Sequence, residues 1–156
     1  MIQISLSKQI LTFLSPQQHF EYSISTAKNG AGQLSGTGCT PLGGHVIRAK
    51  IGGDEPEGAV FVARRPTGEV YSQTLSFKHP ERDWILSRIL WLSGTEVGIN
   101  RSGNVDTMRR YIYIHGTPDT EPMGVPRSHG CIRMRNKDLI HLFNHTAAGT
   151  TVSIIL

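Results

Sequence analysis

Long apolar runs are missing from this chain of 156 residues, and so is any run of basic side chains. No stretch approaches the roughly 20 consecutive apolar residues that a membrane-spanning helix needs. Charged residues make up only 18% of the chain, with a formal net charge of +4. Arg64-Arg65, Arg109-Arg110 and Arg133-Met134-Arg135 lie far apart and lack the interleaved aromatics of a nucleic-acid surface, so no nucleic-acid partner is expected. There is no internal repeat and no low-complexity segment. The segment Met1 to Lys8 lacks the basic start, apolar core and small-residue cleavage site of a secretory signal. A cytoplasmic location is therefore expected if Met1 is the native start, and a periplasmic one if an export signal has been removed. Cysteine is scarce as well. Cys39 and Cys131 allow at most one disulfide, and a chain of this length can bury a core without covalent staples. None of these features bears on oligomeric state.

Glycine is plentiful by contrast. Seventeen glycines and eight prolines are spread evenly, as turn punctuation in a mainly β fold comprising a single domain over residues 1–156. Ile2 to Leu6 and Ile10 to Leu14 alternate apolar with polar residues on either side of a polar break, which predicts a hairpin. Phe20 to Ser25 continues the period of two, and Lys28 to Gly38 reads as a loop. His45 to Ile51 and Ala59 to Ala63 are the next strands. Trp84 to Leu92 fits a helical stripe or a buried strand, because periodicity does not separate the two in a short apolar run. Arg110 to Ile114, β-branched and aromatic, predicts a strand that delivers His115 at its end. One principal helix follows, with Asn136 as its N-cap, Asp138 against its positive end, and Leu139, Ile140 and Phe143 as its apolar face. Gly149 ends it, and Thr151 to Leu156 is a terminal strand.

The most informative segment is Ser128-His129-Gly130-Cys131-Ile132-Arg133-Met134, with His115-Gly116-Thr117-Pro118 sixteen residues upstream of the cysteine. A thiol attacks as its thiolate, and an imidazole within reach raises the thiolate fraction. Two histidines, His115 and His129, precede this cysteine within reach of it, so Cys131 is a candidate nucleophile and His115 a candidate base. An inert buried cysteine and a turn-capping histidine are the bland alternatives. Gly130 weighs against the first, since glycine permits close backbone approach where a ligand sits. Zinc held by His115, His129 and Cys131 has the right ligand types but no structural-zinc spacing, so neither metal nor cofactor is expected. The five other histidines, His19, His45, His79, His141 and His145, read as surface or packing residues.

The pattern His115-Gly116, spacer, Ser128-His129-Gly130-Cys131-Ile132-Arg133 resembles the signature of the L,D-transpeptidase catalytic (YkuD-type) domains of bacterial cell-wall metabolism. The likeness extends to the opening hairpin Ile2 to Leu14, to Tyr22-Ser23-Ile24-Ser25-Thr26, and to Thr40-Pro41-Leu42-Gly43, and so covers nearly the whole chain. Many members carry Asn two residues after the cysteine; Arg133 stands there in this Cys-Ile-Arg-Met branch. The resemblance implies a β-sandwich or barrel with one principal helix after the catalytic cysteine, and tips Trp84 to Leu92 to a strand.

For the site, the resemblance implies that Cys131 attacks while His115, hydrogen-bonded to the thiol, is fixed by donating its other nitrogen to the Gly116 carbonyl, without an Asp or Glu. The N–H groups of Gly130 and Cys131 become candidates for the oxyanion hole. His129 belongs to the substrate side, Ser128 bonds loop backbone beside the substrate, and Arg133 either binds a substrate carboxylate or supports the cysteine loop. The segment Thr117 to Arg127 is expected to cover one side of the cleft. A Cys39–Cys131 disulfide would block the nucleophile. The implied partners are peptidoglycan stem peptides or muropeptides, attacked at the carbonyl of residue three with release of D-alanine. With a cytoplasmic location, the expected outcome is an L,D-carboxypeptidase of peptidoglycan recycling. The alternatives are a periplasmic L,D-transpeptidase forming 3→3 cross-links or exchanging D-amino acids, a catalytically silent wall-peptide binding module, and a thiol protease. A carbapenem is expected to acylate the thiol.

Overall fold

The computed structural model describes residues 1–156. Alternation sets the first strands: β1 (Ile2–Ser5) buries Ile2 and Ile4, and β2 (Ile10–Leu14) buries Leu11 and Phe13. They pair antiparallel with Ile2 opposite Phe13, the hairpin that the pattern predicts. β3 (His19–Ser25), β4 (Gly43–Ile51) and β5 (Ala59–Val62) also fall where expected. β6 (Arg65–Val70) and α1 (Gln73–Lys78) carry no such signal. β6 is largely exposed and contains Pro66 and Gly68, while α1 buries none of its residues and is started by Ser72, whose hydroxyl accepts from the Leu75 N–H at 3.1 Å. The ambiguous segment Trp84 to Leu92 forms β7 (Ile85–Gly94), as the resemblance implies.

The later elements depart from expectation in detail. β8 (Tyr113–Thr117) begins three residues beyond Arg110, because Tyr111 takes a left-handed φ of 57° and bends the chain before the strand. His115 consequently lies at the middle of its strand rather than the end. A further strand, β9 (Ile132–Arg135), intervenes between Cys131 and the helix, where the sequence suggested a plain connection; four residues are too few to show a period. α2 (Asn136–His145) buries Leu139, Leu142 and Phe143, so Leu142 replaces the expected Ile140 on the inner face. Asn136 is not the N-cap. It is the first helical residue, and its amide turns away to accept from Ser87 Oγ at 2.7 Å and donate to the Thr117 carbonyl at 3.1 Å. β10 (Thr151–Ile155) closes the chain.

The strands form one sheet in the order β4-β10-β1-β2-β3-β9-β8-β7, and β7 pairs back onto β4, which closes a barrel. The β5–β6 hairpin hangs from the first half of β7. Two neighbouring pairs, β1–β10 and β8–β9, run parallel; the other pairings are antiparallel. Inside lies a cluster of 18 buried apolar residues, among them Ile4, Leu11, Leu92, Ile114, Ile132, Met134 and the inner face of α2. Each such side chain contributes roughly 1.5–3 kcal/mol by leaving water. No helix is long and apolar enough to cross a membrane.

The Asn136 amide stitches β7, β8 and α2 together and predicts a stability effect that a helix cap would not give. Asn136→Ala is expected to cost about 1–3 kcal/mol by leaving its partners unpaired. Asn136→Ser, a good replacement at a cap, is expected to recover little of it in urea denaturation. Full recovery by serine would restore the cap assignment.

Candidate active site

The parallel register of β8 and β9 assembles the site. Ile114 pairs with Ile132 and His115 with Arg133. Successive side chains on a strand point to opposite faces, so Ile114, Ile132 and Met134 turn into the core while Tyr113, His115, Cys131 and Arg133 turn outward together. These four line a cavity of about 310 Å³ with Ala63, Arg64, Asp83, Tyr111, Ser128 and His129 among its walls. The structure thus brings His115, Ser128, His129, Cys131 and Arg133 together. The segment Thr117 to Arg127 is different: Thr117, Pro118 and Glu121 line a neighbouring pocket behind Asp83 and Arg133, and none of the segment lines the cysteine cavity. The turn Ala63-Arg64 and Tyr111 flank that cavity instead.

His115 is buried, with Nδ1 2.7 Å from the Gly116 carbonyl oxygen. Nδ1 therefore donates and leaves Nε2 as the basic atom. Glycine is required beside it: a Cβ on Gly116 would stand 2.6 Å from the Leu86 carbonyl oxygen. The expected hydrogen bond between His115 and the thiol is not formed. Cys131 Sγ instead donates to the Tyr111 carbonyl at 3.3 Å and accepts from the Tyr113 N–H at 3.3 Å. The two side chains must come into contact before a proton can pass, and catalytic contacts of this kind often tighten only when substrate binds.

The glycine before the cysteine is equally constrained. Gly130 has a φ of +134°, and a Cβ there would meet Ile112 and the Cys39 carbonyl at 3.2 and 3.3 Å. Its N–H donates to Ser128 Oγ at 3.2 Å, and the same hydroxyl donates to the Cys131 carbonyl at 2.6 Å. Gly130 thus offers no free donor, which removes it from the oxyanion candidates. The Cys131 N–H, which makes no backbone hydrogen bond, remains one. Thr40 Oγ1 anchors the loop from behind by donating to the Gly130 carbonyl at 2.9 Å. Ser128 is engaged entirely in shaping this turn.

Asp83 was not visible as a site residue in sequence. Its carboxylate receives Arg133 Nη2 at 3.0 Å and His129 Nδ1 at 3.2 Å. Arg133 also reaches Glu121 at 3.4 Å and the Arg127 carbonyl at 3.4 Å, while its Nε is buried without a partner. A guanidinium already shared by two carboxylates is placed to hold the cysteine loop. Burial would raise the Asp83 carboxyl, but the charge of His115, the His129 hydrogen bond and the Arg133 charge outweigh it and hold it below the usual carboxylate range. Burial pushes the Cys131 thiol up to about 12, against the smaller lowering effects of the Tyr113 N–H, Arg133 and Arg110. Burial likewise depresses His115, despite the Gly116 hydrogen bond and Asp83. Near neutral pH the pair therefore rests as thiol and neutral imidazole. Cys39 is a free thiol, and no three His, Cys, Asp or Glu side chains are arranged to hold a metal ion.

A half-buried thiol at the entry to β9 and a backbone-oriented imidazole on β8 thus share one cavity on the outside of a closed barrel. Residues 1–154 match the model of the L,D-transpeptidase catalytic domain (YkuD), and the chain belongs to that family. A Salmonella typhimurium protein named "Probable L,D-transpeptidase ErfK/SrfK" is 48% identical over 46 residues, which are 30% of this chain and 15% of that one. A cysteine-to-serine mutant of an Enterococcus faecium L,D-transpeptidase superposes with a TM-score of 0.58 at 16% identity, over 98% of this chain and 48% of that one. L,D-transpeptidase 3 from Mycobacterium tuberculosis, in complex with a faropenem-derived adduct, gives 0.57 at 16% identity, over 99% and 59%. The chain thus spans well under two thirds of these relatives, and at such identities the solved structures establish the shared fold.

The resting protonation state predicts an unusual pH profile for the thiol. In a Cys39→Ser background, the rate of alkylation by iodoacetamide should rise about tenfold per pH unit from 7 to 10 without levelling, because the thiolate fraction climbs all the way towards a pKa of about 12. An ordinary thiol levels off above about 8.5. A plateau below pH 8 would show that burial does not control Cys131.

Proposed function

We propose that the domain catalyses acyl transfer from peptidoglycan stem tetrapeptides through Cys131, with water as the principal acceptor, as an L,D-carboxypeptidase. The observation that carries the acyl-transfer reading is the placement of Cys131, at the entry to β9, and His115, on β8, within one cavity. In the proposed reaction His115 Nε2 takes the thiol proton as Sγ bonds to the carbonyl carbon of residue three. The Cys131 N–H faces the developing oxyanion. Collapse breaks the amide bond, His115 returns the proton to the departing amine of D-alanine, and a thioester remains. Water, deprotonated by His115, then attacks the thioester and regenerates the thiol, leaving a tripeptide.

Hydrolysis asks only that the cavity of about 310 Å³ hold the end of one donor peptide and a water molecule. Soluble muropeptides and nucleotide-linked precursors are then the natural donors, in a cytoplasmic recycling role. Membership of a transpeptidase family supports the second reading, in which the amine of another stem peptide or a free D-amino acid intercepts the thioester in the periplasm.

Incubation with a diaminopimelate tetrapeptide muropeptide, followed by mass spectrometry, is expected to give tripeptide and free D-alanine. Cys131→Ala should lose the activity completely and keep the thermal midpoint of the parent; retained turnover would refute the nucleophile. Dominant 3→3 dimers or exchanged D-amino acids would replace hydrolysis by the second reading. His115→Ala should slow adduct formation with faropenem by about 100-fold or more, on the scale of general-base effects, and unchanged acylation would exclude His115 as the base.

A further inference from the structure

Arg64 faces the same cavity as Cys131 and His115, and the acyl-transfer chemistry leaves it without a task. We propose that Arg64 recognises a carboxylate of the donor peptide and makes the cleft selective for an acid over the corresponding amide. The identity of the donor rests on the acyl-transfer reading above.

The backbone points first to this residue. Ala63 and Arg64 form the two-residue turn between β5 and β6, and both take left-handed φ values, 48° and 64°. Such a turn is ordinarily built from glycine or asparagine, and neither is present here. Strain of this kind persists where it aims a side chain at a site. Tyr111, whose φ is 57°, supplies the surface onto which Arg64 is aimed.

The side chain is held by three aromatic residues, Tyr111, Trp91 and Tyr113. Its guanidinium carbon lies 4.6 Å from the Tyr111 ring centroid and 5.0 Å from that of Trp91, and Nη1 donates to the Tyr113 hydroxyl at 2.9 Å. The Tyr113 N–H in turn contacts Cys131 Sγ at 3.3 Å, so one residue braces both the cation and the thiol. Nε and Nη2 of Arg64 make no hydrogen bond, and no carboxylate pairs with it. Arg133, the other guanidinium of the cavity, is shared by Asp83 and Glu121. A planar guanidinium stacked on aromatic rings with donors to spare suits bidentate recognition of a carboxylate.

Charge across the cavity agrees. Asp83 lines the same space with His129 and Arg133 and makes no ion pair with Arg64. With Asp83 already paired to Arg133 and His129, Arg64 is the cation of the cavity left free to draw a donor carboxylate. Two donor groups carry the required chemistry: the terminal carboxylate of the departing residue, and the side-chain carboxylate of residue three.

Binding to the Cys131→Ala protein tests this without turnover. Dissociation constants are measured by calorimetry for three tetrapeptides: with both carboxylates free, with the terminal one amidated, and with the side-chain one amidated. Each is repeated with Arg64→Gln and Arg64→Lys added, after thermal melting shows that the variants are folded. One amide is expected to bind about 10- to 100-fold more weakly than the acid, the range for a charge-assisted hydrogen bond, and its identity names the carboxylate. Arg64→Gln should weaken the acid by a similar factor and erase the difference, and Arg64→Lys should restore part of it. Equal affinity for all three peptides, discrimination that survives Arg64→Gln, or no binding of any peptide would overturn the inference. The acyl-transfer reading fails separately, by turnover that does not need Cys131.

Discussion

Everything at the cavity depends on the parallel pairing of β8 with β9. Parallel neighbours need a long crossover connection, and residues 118–131 supply it between Thr117 and Ile132. The interval between His115 and Cys131 is therefore set by strand geometry before any chemistry is considered. Register is enforced from the opposite side of the sheet. Ile114, Ile132 and Met134 are fully buried, and a slip of one residue would turn them towards solvent and His115, Cys131 and Arg133 into the core. The apolar interior thus specifies which side chains meet outside it.

The electrostatics of the cavity follow from the same burial. Desolvation raises the Cys131 thiol and lowers His115, so both sides of the pair resist charge in the free protein. A resting thiolate–imidazolium pair is disfavoured, and proton transfer is best coupled to attack on a bound carbonyl. In the proposed reaction this keeps the thiol unreactive towards passing electrophiles until a donor fills the space. Arg110 contributes from behind. It donates to the carbonyls of Gly32, Gln33 and Cys39, tying the long loop to the wall against which Gly130 packs.

What could be read in the sequence was what announces itself locally. Ile2, Ile4, Leu11 and Phe13 declare their hairpin by alternation, and the residues around His115 and Cys131 stand in a recognisable motif. What could not be read depends on partners distant in the chain. Asn136 looks like a cap until Ser87 and Thr117 are found beside it, and Ile140 and Leu142 are both apolar, so only the seating of α2 on the barrel chooses between them. β6 and α1 escaped because Arg65-Pro66-Thr67-Gly68 and a helix without buried residues carry no periodic signal. Asp83 and Arg64 were missed for a related reason: an acidic residue before Trp84 and an arginine in a turn are ordinary until folding brings both to the wall of one cavity.

Closure of the barrel has a consequence for how the protein is made. β1 is flanked by β10 in parallel register, Ile2 beside Val152, so this domain's opening strand waits for its closing one. Until residues 151–155 emerge, both β1 and β4 present unpaired backbone along one side. Contacts at such sequence separation form slowly, since nearly the whole chain must be looped to make them. Even after β9 has joined β3 to β8, the nascent domain stays an open, edge-bearing sheet until β10 fills the gap between β1 and β4.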